Sequence, residues 1–303
     1  SDCGCNSGGS PGWHQRWRTP LRTALDLLRD RLAPLYEQAT ATLLSDPWRA
    51  RDAYIDVTID GRPEVRERFL RNQAKRPLTP DETARVFQLL EMQRHLLLMY
   101  TSCGWFFDDI SGVEPLQNLL YAARAIQLAQ TALKVDLEPA FLDVLATAES
   151  NVAAVGNGRQ LYESQVRPRK VDLAKAFAHY AITSLFQRYE DPISIYGYQI
   201  EPRQQHLHRS GRLSLQLGRA RVATPVTQES ADLSFAVLHF GDHNLVGGVV
   251  ETRGEDFLGE LRKNLVEPFE RADLPTVLRM IDRYFGQATY SLRELFRDDQ
   301  RRI

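Results

Sequence analysis

Cysteine is scarce in this chain, with three among 303 residues, at positions 3, 5 and 103. That small odd number argues against a disulfide framework and fits a reducing, cytoplasmic setting. Net charge is equally slight: Lys and Arg total 38 against 39 Asp and Glu, a formal balance of -1. Without a basic stripe or a global positive field, neither nucleic acid nor anionic lipid is an expected partner. No apolar run approaches the ~20 residues that span a bilayer, so no membrane association is expected. The first residues also lack the basic and apolar regions of a signal peptide. A G-x-S-x-G elbow, a Walker loop, a dinucleotide fingerprint after a strand and H-E-x-x-H are all missing, and no cofactor is expected.

What is present reads as a folded protein. Hydrophobic residues make up 43% and charged residues 25%, ordinary values for a globular chain. "TPLRTALDLLRDRL" has helical apolar spacing at Leu21, Ala24, Leu25, Leu28 and Leu32, with Thr19 as expected N-cap and Pro20 in the first turn. Pro34 is expected to kink or break that helix. In "LTPDETARVFQLLEMQRHLLLMYTS", Thr79 caps, Pro80 opens, and Asp81 and Glu82 suit the positive end of the helix dipole. Its second half is apolar on most sides, which predicts a place at the centre of a bundle. Further helices are expected in "GVEPLQNLLYAARAIQLAQTAL", "PAFLDVLATAESNV" and "VDLAKAFAHYAITSLFQRY".

Beyond about residue 190 the pattern changes. "ISIYGYQI", "RLSLQLGRARVATPV", "ADLSFAVLHF" and "NLVGGVVE" are short, β-branched or alternating, and separated by turn residues. Strands this closely spaced favour an antiparallel meander. The expected fold is therefore α+β, predominantly α. Residues 1–190 form a helical bundle with a substrate-site-like opening segment, and 191–303 form an antiparallel sheet plus C-terminal helices, packed as one unit with the bundle.

Chemistry concentrates in two places. "TSCGWFFDDISG" sets Trp105, Phe106 and Phe107 beside Asp108 and Asp109 at a helix junction. Flat rings cover the apolar face of a sugar while carboxylates accept its hydroxyls. The competing reading is core packing, with an Asp capping the helix that starts near Val113. The opening segment carries the same mixture in Asp2, Trp13, His14 and Trp17, and its competing reading is a loop pinned by two buried Trp. Cys3, Cys5 and Cys103 could form a thiolate metal site, but C-x-C matches zinc spacing poorly, and three buried free thiols are the expectation. His239, Asp242 and His243 read as turn residues at a hairpin tip, and His206 and His208 as solvated side chains in a polar connector.

"LLEMQRHLLLMYTSCGWFFDDISGVEPLQNLLYAARAIQLA" and "FAVLHFGDHNLVGG" resemble the domain-of-unknown-function family numbered 3536, along nearly the whole chain. That family is found as the C-terminal part of proteins whose N-terminal part resembles glycoside hydrolase family 57. "SDCGCNSGGSPGWHQRWRTPLRTAL" is similar to the last of the five sequence regions of family 57, which helps line the substrate cleft. The matching positions are Asp2, Trp13 and Trp17, and the sequence departs from the pattern by placing Cys3-Gly4-Cys5 after the Asp. Family 57 enzymes act on α-glucans with retention, through a Glu nucleophile and an Asp acid/base in the barrel.

No segment here resembles the regions that carry those two residues. A retaining mechanism needs both carboxylates about 5 Å apart, so no catalytic residue is expected and hydrolysis by this segment alone is not. The resemblance implies that the chain begins within a substrate-site region and that its partner is an upstream catalytic barrel of the same parent chain. Asp2, Trp13, Trp17, Trp105, Asp108 and Asp109 would then contact an α-glucan or oligosaccharide. A structural or interaction module without ligand, or a Cys-based metal site, are the alternatives.

Overall fold

The computed structural model describes residues 10–106, 108–286 and 288–292. The fold is α+β with helix predominant, as the patterning implies, and the chain divides into two compact units at Lys170/Val171.

The first unit is helical. Its elements are α1 (Arg18–Thr40), α2 (Pro47–Ala53), α3 (Ile55–Ile59), α4 (Pro63–Gln73), α5 (Pro80–Leu98), α6 (Val113–Leu133), α7 (Glu138–Leu145) and α8 (Gly158–Leu161). α5 begins as its sequence dictates: Thr79 accepts from the Glu82 N–H while the Glu82 carboxylate takes the Thr79 N–H, a closed capping box. Every residue from Val86 to Gln93 is buried, so this middle stretch of α5 is surrounded on all sides, and Leu119, Ala122, Ile126 and Ala129 of α6 join the same core.

α1 departs from expectation twice. Its backbone is already helical at Trp17, and the helix starts at Arg18 rather than after Thr19. It also runs through Pro34 to Thr40 without a break. Proline removes one backbone hydrogen bond and costs about 3 kcal/mol in a helix interior. Here Leu32 and Tyr36 flank it in the core with no exposed surface, and their burial offsets that cost.

The second unit holds α9 (Leu173–Thr183), the strands β1 (Ile193–Ile195), β2 (Tyr198–Ser210), β3 (Leu213–Ala223), β4 (Ser230–His239) and β5 (Leu245–Glu251), then α10 (Phe257–Glu270), α11 (Leu274–Phe285) and β6 (Thr289–Tyr290). The six strands form one antiparallel meander in sequence order, with Leu217 opposite Ala236 and Phe235 opposite Val249. Alternation explains why both faces are covered. Ala220, Val222, Phe235, Val237 and Val249 pack with Phe177 and Ile182 of α9. The alternate set, Leu215, Leu217, Ala236 and Leu238, packs with Leu261 and Leu265 of α10 and Ile281 and Phe285 of α11.

The change of pattern read near residue 190 marks where strands begin, at Ile193, while α9 just before it shares its core with the sheet. His206 and His208 lie within strand β2 and are half-buried, which replaces the expectation of a solvated connector. Residues 293–303, within the stretch expected to be helical, lie outside the described residues. Among the described residues, no helix is long and apolar enough to cross a membrane.

Candidate functional site

Three stretches far apart in sequence meet at one end of the helical unit. The first is the approach to α1, where Trp13 and His14 are half-buried and Trp17 is 1% exposed. The second runs from the single turn Ser102–Trp105 to the start of α6. The third is the loop after α7, at Ser150 and Asn151.

Asn151 ties the first two together. Its side-chain N–H groups donate to the carbonyls of His14 at 2.8 Å and Asp108 at 2.7 Å, and its Oδ1 accepts the His14 N–H at 3.1 Å. The Trp17 indole donates to the same Asp108 carbonyl at 3.0 Å, and Arg18 Nη2 donates to the carbonyl of Phe106 at 3.2 Å.

Asp109 organises the second and third stretches. Its carboxylate accepts from the N–H and hydroxyl of Ser111 at 2.9 and 2.6 Å, from Ser150 Oγ at 2.9 Å, and from the Asn151 N–H at 2.5 Å. An ionised carboxylate offers about four lone-pair positions, so these donors use its capacity. The helix-cap reading for the Asp pair gives way to this arrangement, because α6 follows Gly112 and no side chain caps it.

The six sequence candidates therefore separate by exposure. Trp17, Asp108 and Asp109 are 1%, 5% and 6% exposed. Trp13 and Trp105 are half-buried, and Phe106 beside them is 75% exposed. Asp2 lies outside the described residues, as do Cys3, Cys5 and Phe107.

A tight contact supports the turn that carries Trp105. Asn118 of α6 is fully buried, accepts the Thr101 hydroxyl at 2.6 Å and donates to the Thr101 carbonyl at 3.3 Å. Gly104 packs against it so closely that a Cβ there would lie 2.0 Å from Asn118 Nδ2. With Asn118 in place, any side chain at 104 would force the amide or the turn to shift.

Ser150, Asn151 and Asn118 carry no signal in the sequence reading. "AESNV" reads as the continuation of a helix, but α7 ends at Leu145 and the stretch is a loop. Cys103, expected to be buried, is a free and exposed thiol. Among the described residues, no three His, Cys, Asp or Glu side chains are grouped to hold a metal ion. The hairpin reading holds for the His239 group: Asp242 has a positive φ of 49° at the β4–β5 turn, and the His239 ring meets its carbonyl at 2.9 Å.

The sequence profile of a family described as Domain of unknown function (DUF3536) matches residues 13–296. The chain belongs to that family. No curated protein and no solved structure matches it.

Proposed function

We propose that this family member is a non-catalytic carbohydrate-contacting region of a family 57-like, α-glucan-active protein. In that role it lines or closes the cleft of an upstream catalytic barrel on the same parent chain. One observation supports the reading: the described aromatic part of the opening segment, from Trp13 to Arg18, joins the stretch of Trp105, Phe106, Asp108 and Asp109 in one hydrogen-bonded knot, 88 residues apart at the Arg18–Phe106 bond. At that end of the bundle Trp13 is half-buried, Trp105 is packed in part against the core, and Phe106 is exposed.

The roles of the six residues then differ. Trp13 and Trp105 supply faces for sugar stacking, while Trp17, Asp108 and Asp109 hold the segments in place and touch no sugar. Their burial and internal hydrogen bonds are what a supporting layer needs. Asp2, outside the described residues, would add a carboxylate acceptor.

Titration with maltooligosaccharides, followed by tryptophan emission, tests this reading. A saturable change that disappears in Trp105→Ala but persists in a Trp48→Phe control supports it. A flat titration favours the second reading, a packing or interaction module without ligand. That reading draws on the same burial of Trp17 and the same saturation of Asp109 by internal donors. Elemental analysis of the purified protein decides the Cys-based metal alternative.

A further inference from the structure

A groove of about 430 Å³ runs along the helical unit where α2 and α3 meet the last turns of α5. Its apolar lining comes from Ile55, Leu90, Leu97 and Leu98, and its polar lining from Tyr54, Arg94, the Arg51–Asp52 pair and the hydroxyls of Thr58 and Thr101. Ile55 is 56% exposed and Leu97 60% exposed, so the groove opens onto an uncovered aliphatic surface. Its volume lies within the about 300–1,000 Å³ of small-molecule sites.

Arg94 is fixed from behind. Glu91, 4% exposed on α5, accepts one guanidinium N–H of Arg94 at 3.1 Å and the Tyr54 hydroxyl at 2.8 Å. A guanidinium carries five N–H donors in a fixed fork, and among the described residues Glu91 is the side chain that Arg94 bonds. The remaining donors stay available on a side chain that lines the groove and is 40% exposed. Arg51, the other cation of the lining, instead gives Nε and Nη2 to Asp52 at 2.9 and 2.7 Å.

We propose that this groove is a binding site for an anionic amphiphile, a carboxylate with an aliphatic body. The carboxylate meets the free edge of the Arg94 guanidinium, and the hydrocarbon lies on Ile55, Leu97 and Leu98. Charge complementarity selects the head group: a preorganised guanidinium fork matches a carboxylate, and its charged partner sits behind it rather than across the groove. The walls select the body. Four aliphatic side chains give the hydrocarbon its surface, while the polar lining is largely engaged: the Tyr54 hydroxyl with Glu91, the Asp52 carboxylate with Arg51, and the Thr58 and Thr101 hydroxyls with the Tyr54 carbonyl and Asn118. The site does not rest on the carbohydrate reading, although Thr101 at its edge also anchors the turn that carries Trp105.

Binding of decanoate and of decanol to the full chain, each below its aggregation limit, is the test, read by displacement of 8-anilinonaphthalene-1-sulfonate. Decanoate is expected to bind at least about ten-fold tighter than decanol, the margin of one good charge-assisted contact. Leu97→Glu changes an exposed residue, so the chain still folds, and it weakens decanoate by at least about ten-fold through an uncovered like charge. Arg94→Gln brings decanoate down to the level of decanol.

Three results overturn the proposal. One is equal binding of the acid and the alcohol by the unaltered chain. Another is binding that Leu97→Glu leaves untouched. The third is sedimentation showing a dimer that Leu97→Glu abolishes while decanoate fails to bind, since a second copy would then be the occupant.

Discussion

Trp17 donates its indole N–H to the main-chain carbonyl of Asp108 at 3.0 Å, across 91 residues of sequence. Trp17 is the residue on which α1 opens, and Asp108 follows the turn that carries Trp105. The bond therefore sets the start of one helix against the loop that precedes another. Trp17→Phe keeps most of the buried ring but removes the donor and some volume. The expected loss is about 2–3 kcal/mol, one hydrogen bond plus a partial cavity. Urea unfolding followed by circular dichroism measures it, and an unchanged midpoint would count against the pinning role.

Asp109 holds the knot through charge as well as geometry. An Asn in its place presents an N–H₂ group where the native carboxylate oxygen accepts, so at least one of Ser111, Ser150 and Asn151 loses its acceptor. Asp109→Asn is expected to destabilise by about 2–4 kcal/mol. Asp30 provides the contrast: it bonds Arg29 at 2.7 Å but is 64% exposed, and Asp30→Asn should move the midpoint very little. Equal effects at the two positions would mean that burial and donor number are not what matters at Asp109.

Gly104 and Asn118 should be energetically coupled. Gly104→Ala places a methyl 2.0 Å from Asn118 Nδ2, an overlap that shifts backbone or side chain at about 1–3 kcal/mol. Asn118→Ala alone removes the bonds to Thr101. In the double variant the methyl occupies space that the amide has left, so the combined loss is smaller than the sum of the two. A double-mutant cycle reads that difference, and strict additivity would rule out the contact as the reason for glycine.

These contacts also mark where the sequence stops being readable. α5 is legible because Thr79, Pro80 and Glu82 are local signals acting within one turn. The meander is legible because alternation and turn residues recur every few positions along β2–β5. The knot has no such trace. Asn151 acts on His14 at a separation of 137 residues and on Asp109 at 42, and neither distance leaves a periodic pattern. Ser-Asn after an apolar run looks the same whether it ends a helix or buttresses a distant loop. Pro34 misleads for a related reason, because its local cost is visible in the sequence while the burial of Leu32 and Tyr36 is not.

The capping box of α5 gives a pH dependence with a defined sign. The side chain of Arg76 bonds Glu82 at 2.6 Å, and the Thr79 N–H donates to the same carboxylate. Both favour the ionised form, the Arg76 bond more strongly, and they lower the Glu82 carboxyl from its ordinary 4.5 to about 2. A carboxyl that is harder to protonate in the folded state adds stability above its unfolded value. That stability is lost as the pH falls from 4.5 towards 2. Glu82→Gln keeps an N3 side chain able to reach the Thr79 N–H but loses the ion pair with Arg76. The variant should unfold at lower urea than the native chain at neutral pH, and the gap should close across that acid window. Salt should narrow the gap as well, because both partners face solvent. A gap of constant size from neutral pH to below about 3 would show that the charge of Glu82 plays no part in holding the start of α5.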